Sequence, residues 1–239
     1  MSEEKSGLLR MYKQVIRSNS FDSFACYAPY DLFDSFANDD QFDFLTDMPF
    51  MTDLLTMTNT NQQYDEAVQL CRDIFIGKTK DYGTSWRVLR PVSVVDQIFI
   101  KAQRIRTLQE KGVQKIGDDV TGEFKGIVNY GIIGLIQQDL LTDEAEELPV
   151  KKVEKLFDDK VKLVKAVMQD KNHDYGEAWR DMSQESFVDL ILMKLMRIRQ
   201  ILYNEGKTLI SEGIDSNFVD IVNYSLFALI LIEEGKHRG

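Results

Sequence analysis

Seven side chains toward the C-terminal end of the chain have the types and spacing to handle a phosphorylated ligand. Asp189, Lys194 and Arg197 fall on roughly one side of a helix, with Met193 and Arg197 at i+4 and i+8 from Asp189. Glu212 follows, and then Asp220, Asn223 and Tyr224 at i, i+3 and i+4, one contiguous helical face. Magnesium needs only one or two protein carboxylates beside water and substrate oxygens, so Asp189, Glu212 and Asp220 are candidate Mg²⁺ ligands and catalytic residues. A metal-oriented water would attack a phosphoryl group while Lys171, Lys194 and Arg197 stabilise the developing charge. The substrate-binding set is then Lys171, Asp174, Tyr175, Trp179, Lys194, Arg197, Asn223 and Tyr224, with Tyr175 or Trp179 able to stack on a base. The same residues admit a second reading, a buried polar network that holds the helices in register. An open cleft lined by Asp189, Lys194 and Asp220, with Tyr175 or Trp179 at its rim, favours the first reading, and mutual closure of those side chains with no cavity beside them favours the second.

Most of this set occurs twice. Lys78-x-x-Asp81-Tyr82-Gly83-x-x-Trp86 returns 93 residues later as Lys171-x-x-Asp174-Tyr175-Gly176-x-x-Trp179. Asp96, Lys101 and Arg104 match Asp189, Lys194 and Arg197, and after a one-residue slip Asn129 and Tyr130 match Asn223 and Tyr224. The first-copy equivalents of the site are therefore Lys78, Asp81, Asp96, Lys101, Arg104, Asn129 and Tyr130. The copies differ where a metal site would be most sensitive: Gly126 stands opposite Asp220, Asp118 opposite Glu212, and Lys80 opposite His173. The second copy is the stronger candidate for chemistry.

A repeat of this length requires each copy to fold as the same unit. Tyr64, Ala67, Val68, Cys71, Ile74 and Phe75 keep helical spacing, as do Val153, Leu156, Phe157, Val161, Val164 and Met168. Gly83 and Gly176 supply the stop, because glycine enters the left-handed conformation at a helix C-terminus without strain. A second helix is predicted over about 184–204, with Ser183 or Ser186 as N-cap, and a third over about 215–234. The first copy has the same three helices, ending near Leu141. No stretch alternates with a strand period. The predicted fold is all-α: tandem duplicated three-helix repeats packed as a pseudo-twofold helical bundle. Residues 57–141 form the first repeat, an acidic segment 142–150 the linker, and 151–239 the second repeat.

Residues 1–56 carry seven of the fourteen phenylalanines and ten carboxylates against four basic residues, without clear periodicity. They read either as a poorly ordered acidic extension or as a segment that docks through its phenylalanines. A formal charge of −10 excludes an extended nucleic-acid face, so any bound phosphate is held locally. Cys26 and Cys71 lack paired spacing, which points to reduced thiols rather than a disulfide framework. The apolar run 226–232 is too short for a membrane span. A soluble cytoplasmic protein is expected. Phosphate-binding glycine loops, nucleophile elbows, paired-histidine zinc helices and dinucleotide fingerprints are absent from the sequence.

The Lys-x-x-Asp-Tyr-Gly-x-x-Trp element, the Asp-x4-Lys-x2-Arg-Ile-Arg helix and the Asp-Ile-Val-Asn-Tyr helix together resemble the nucleotide modification associated domain 1 family, formerly a domain of unknown function. The resemblance covers about residues 62–234 in two copies. It implies an association with systems that handle modified nucleotides. The helical design is also similar, at a distance, to all-α nucleoside triphosphate pyrophosphohydrolases. Those enzymes place Glu-x-x-Glu and Glu-x-x-Asp pairs on successive helices, whereas here Asp189 stands alone among cations. A single Mg²⁺, or metal-free binding, suits these residues better than a multi-metal centre. The expected ligand is a nucleotide or related phosphorylated small molecule, bound by an internal pseudo-dimer that could pair further as a homodimer. The expected activity is binding with hydrolase-like Mg²⁺ chemistry, and the alternative is a non-catalytic helical interaction or scaffold module.

Overall fold

The computed structural model describes residues 49–112, 119–141, 145–206 and 213–239, with side chains from residue 59 onward. The chain divides into two compact units, Met1–Asn59 and Thr60–Gly239, and the architecture described below is that of the second. Most of the Phe-rich segment, Cys26, and the paired positions Asp118 and Glu212 lie outside the described residues.

Local chemistry sets the helix boundaries. Helix α1 (Pro49–Tyr82) stops at Gly83, whose φ is +64°, and α4 (Val150–Tyr175) stops at Gly176, whose φ is +60°. Each glycine leads into a 3₁₀ turn, Ser85–Val88 or Ala178–Asp181, that brings Trp86 or Trp179 into the core. Helix α2 (Pro91–Lys111) begins on a proline, whose missing N–H costs nothing at a helix start. Asp119 caps α3 (Val120–Asp139) by accepting from the Gly122 N–H at 2.6 Å. Ser183 caps α5 (Gln184–Tyr203), its hydroxyl accepting from the Ser186 N–H at 3.2 Å. Helix α6 (Ile214–Glu233) follows Gly213. Among the described residues there are six α-helices and no strand, in the expected order of three plus three.

Pairs of equivalent contacts mark the pseudo-twofold arrangement. Arg106 of the first copy pairs with Asp189 of the second at 3.1 Å, and its equivalent Arg199 pairs with Asp96 at 2.6 Å. A reciprocal exchange of this kind is the signature of an isologous interface, here within one chain. The third helices, α3 and α6, meet at the centre. A Cβ on Gly131 would fall 2.6 Å from a Val222 methyl, and one on Gly134 would fall 2.6 Å from the Phe218 ring, so these glycines permit the close approach. Asn129 donates to the Cys71 carbonyl at 3.0 Å and Asn223 to the Val164 carbonyl at 3.2 Å, equivalent bonds between first and third helices of each copy. These two asparagines, read in the sequence as ligand contacts, are buried and bonded to backbone. The segment joining the copies is tied down as well: the Leu148 N–H donates to Thr84 Oγ1 at 3.0 Å, and the Leu148 side chain is buried. Among the described residues α6 alone is long and apolar enough to cross a membrane, and 78% of its apolar window is buried in the bundle.

Candidate functional site

Asp220 joins three helices of the second copy. Lys194 of α5 donates to its Oδ2, and Lys171 of α4 donates to its Oδ1 at 2.6 Å. Asp220 and Lys194 are both buried, while the Lys171 side chain is half exposed. Burying a carboxylate and an ammonium is costly unless they are paired, and here each oxygen of Asp220 has its own cation. Beside this triad lies a cavity of about 470 Å³ between α3, α4 and the first turns of α6. Its apolar lining is Leu135, Leu163, Val167 and Val219. Lys171 and Asp220 form part of the wall, with Lys160, Asp139, Asp215 and Ser216, and Lys160 is paired to Asp139 at 2.6 Å. A cavity with an apolar floor and a few convergent polar groups is the general form of a small-molecule site.

The other candidates lie apart from it. Asp189 is exposed and bonded to Arg106, so it serves the contact between repeats. Lys194 comes five positions after Asp189, which turns them about 140° apart on α5. Asp189, Met193 and Arg197 form the exposed face of that helix while Lys194 points inward. Trp179 is buried, stacks on Phe227 with centroids 4.2 Å apart, and lies 4.4 Å beneath the Arg180 guanidinium. It closes the end of the bundle and is covered by protein groups where a base would stack. Tyr175 is 73% exposed at the end of α4, and Asp174 is exposed with His173 at 3.1 Å. Tyr224 packs beside Phe187, with ring centroids 6.4 Å apart, and Tyr130 rests partly buried against the core. Lys78 and Asp81 are exposed.

These positions bear directly on the proposed metal. Asp189 and Asp220 are committed to different partners, and Glu212 lies outside the described residues. Among the described residues no cluster of three His, Cys, Asp or Glu side chains is placed to hold an ion. An ion at Asp220 would also have to displace two ammonium groups. The described residues therefore do not fit a protein-held Mg²⁺.

The first copy reaches charge balance by another route. Gly126 leaves no carboxylate opposite Lys101, but Glu123, one turn earlier on α3, accepts from Lys101 at 3.0 Å and from Arg104. A Cβ on Gly126 would fall 2.7 Å from Lys101 Cε, so the glycine makes room for the lysine to reach Glu123. The residue equivalent to Glu123 in the second copy is Asn217. The carboxylate has moved by one helical turn between copies. Sequence reading missed Glu123, although its place one turn before Gly126 was a usable signal. Lys160 was missed too, yet Lys160, Leu163, Val167 and Lys171 follow i, i+3, i+7, i+11 spacing and so share one face of α4.

The family model described as nucleotide modification associated domain 1 matches the chain in two segments, residues 78–138 and 171–232. Each segment runs from the Lys-x-x-Asp-Tyr-Gly element into the third helix of its copy, so the match follows the repeat. No curated protein and no solved structure matches the chain.

Proposed function

This chain belongs to the nucleotide modification associated domain 1 family in two tandem copies, and from that premise we propose that its second copy binds a nucleotide or related phosphorylated metabolite. One observation carries the reading: the cavity of about 470 Å³ that opens on Lys171, Lys160 and Asp220 above an apolar floor. The lysines suit phosphate oxygens and the floor suits a sugar or base. Magnesium enters this reading only as a companion of the ligand's phosphates, coordinated mainly by phosphate oxygens and water. Hydrolysis is the stronger form of the proposal and would need that ion to orient a water.

Titration of the full chain with a panel of ribo- and deoxyribonucleotides, followed by calorimetry and thermal shift, tests binding. Saturable binding that weakens in Lys160→Ala and Lys171→Ala is expected, and no response to any nucleotide overturns the reading. Pyrophosphate or phosphate release with added Mg²⁺ tests hydrolysis separately.

A scaffold role has its own supporting observation, the closure of Lys171, Lys194 and Asp220 on one another. If the triad is only structural, Lys171→Ala changes stability and neither alanine variant has a ligand response to lose.

A further inference from the structure

Helices α2 and α5 lie side by side in opposite directions. Asp96 near the start of α2 meets Arg199 near the end of α5, and Arg106 near the end of α2 meets Asp189 near the start of α5. Asp96, Ile100 and Gln103 keep i, i+4, i+7 spacing on α2, and Asp189, Met193 and Met196 hold the equivalent positions on α5, so each stripe continues from its ion-paired aspartate along one side of its helix. Between the two ion pairs these stripes carry Ile100, Met193 and Met196, which are 60%, 39% and 54% exposed. Phe99, beside Ile100 in the chain, is partly buried 4.2 Å beneath the Arg199 guanidinium. An apolar centre inside a charged rim is the anatomy of a protein interface, and methionine is among the residues enriched there.

The charge pattern of this face identifies its occupant. Helix α5 carries Glu185 and Asp189 in its N-terminal half and Arg197 and Arg199 in its C-terminal half. Helix α2 keeps the same order, from Asp96 to Arg106 and Lys111, with Glu110 the exception, and because it runs the other way its acidic start lies beside the basic end of α5. Acidic and basic halves therefore alternate as four quarters around the pseudo-twofold axis. A second copy turned over by a twofold axis in the plane of the face sets each acidic quarter on a basic one, the self-complementarity that an isologous interface requires. Arg197 is exposed and makes no ion pair among the described residues, so it gains an acidic partner there; its first-copy equivalent Arg104 already has Glu123. The size fits as well. Two helices of 21 and 20 residues, about 30 Å long and about 10 Å apart, present a face of about 600 Å², close to the roughly 800 Å² that each partner buries in a standard interface. We propose that the α2–α5 face pairs with the same face of a second copy, giving a dimer of four repeats. The cavity described above is lined by α3, α4 and α6, so this pairing and nucleotide binding stand or fall separately.

Sedimentation velocity of the full chain across about 1–100 μM tests this. A species of twice the chain mass is expected within that range. Ile100→Glu and Met196→Glu change exposed positions, so each is expected to weaken the dimer about tenfold or more while far-UV circular dichroism shows the helices retained. Arg197→Glu is expected to weaken it about tenfold, and raising the salt concentration about tenfold is expected to weaken the native dimer. A chain that stays monomeric throughout overturns the proposal. So does a dimer unaffected by either glutamate variant, which places the interface elsewhere on the surface. A monomer whose Tm falls sharply in Ile100→Glu shows the face covered from within the chain and overturns the second copy as its occupant. A dimer indifferent both to Arg197→Glu and to salt overturns the charge pairing.

Discussion

A carboxylate held by two lysines inside a helical bundle behaves as part of the core. Asp220→Asn keeps the shape of the side chain and removes the charge that Lys194 was buried against, so it is expected to cost about 3–5 kcal/mol of unfolding free energy in urea titrations. A loss below about 1 kcal/mol would mean that water already solvates Lys194 and that the triad contributes little to folding. Asp189 gives the opposite case. It is 57% exposed in its pair with Arg106, so Asp189→Asn should change stability by less than about 1 kcal/mol and leave nucleotide affinity unaltered. A large loss of affinity in that variant would restore the role in ligand chemistry that its spacing suggested. Helical periodicity placed Asp189 with Arg197 correctly, but it could not reveal that the partner is Arg106, from the other repeat and 83 residues away. Burial also governs Cys71, whose thiol it pushes up to about 12. In a Cys26→Ser chain at pH 8, Cys71 is expected to resist a disulfide reagent until denaturant is added. Rapid labelling of the native chain would contradict that.

Between elements, the two copies share a hydrogen-bond scheme that is complete in only one of them. The Tyr64 hydroxyl on α1 donates to Asn223 Oδ1 on α6 at 2.8 Å. Phe157 occupies the equivalent position on α4 and has no hydroxyl, and Asn129 Oδ1 is correspondingly left buried without a partner. Tyr64→Phe therefore reproduces in one copy what the other already tolerates, and a loss of about 1–2 kcal/mol is expected by chemical denaturation. No measurable change would show that Asn223 finds another donor. Helix ends were the most legible features of the sequence. Ser183 acts through its own hydroxyl, Gly83 and Gly176 through their own backbone geometry, and the structure puts caps and stops at those residues. Contacts between helices were less legible. The substitution of Glu123 and Gly126 for Asn217 and Asp220 preserves charge pairing while breaking the residue-by-residue match, so alignment of the copies showed a lost carboxylate where the fold shows a displaced one.

For the molecule as a whole, the pseudo-twofold packing leaves an end of the bundle that the C-terminal residues close, and this closure carries a pH dependence. Glu234 accepts from Gln63 of α1 at 2.7 Å and from Arg180 at 2.8 Å, and its other oxygen lies 2.9 Å from the Lys236 ammonium. Arg180 also reaches Thr60, so one carboxylate draws together the two copies and the C-terminal segment. Partial burial taken alone would raise the pKa of Glu234, but the bonds from Lys236, Gln63 and Arg180 outweigh it and hold the group below the ordinary value of 4.5. A carboxylate whose pKa falls on folding binds its proton more readily in the unfolded chain. Its contribution to stability is therefore present above the ordinary value and is lost as the pH falls through the lower native value. Urea midpoints measured from pH 7 down to pH 3 for the native chain and for Glu234→Gln isolate this effect, because the remaining carboxylates are common to both. The gap in stability between the two chains should be widest near neutrality and should narrow as the medium becomes acidic. A gap of constant size across that range would mean that Glu234 acts through its shape and hydrogen bonds alone, with no share for its charge.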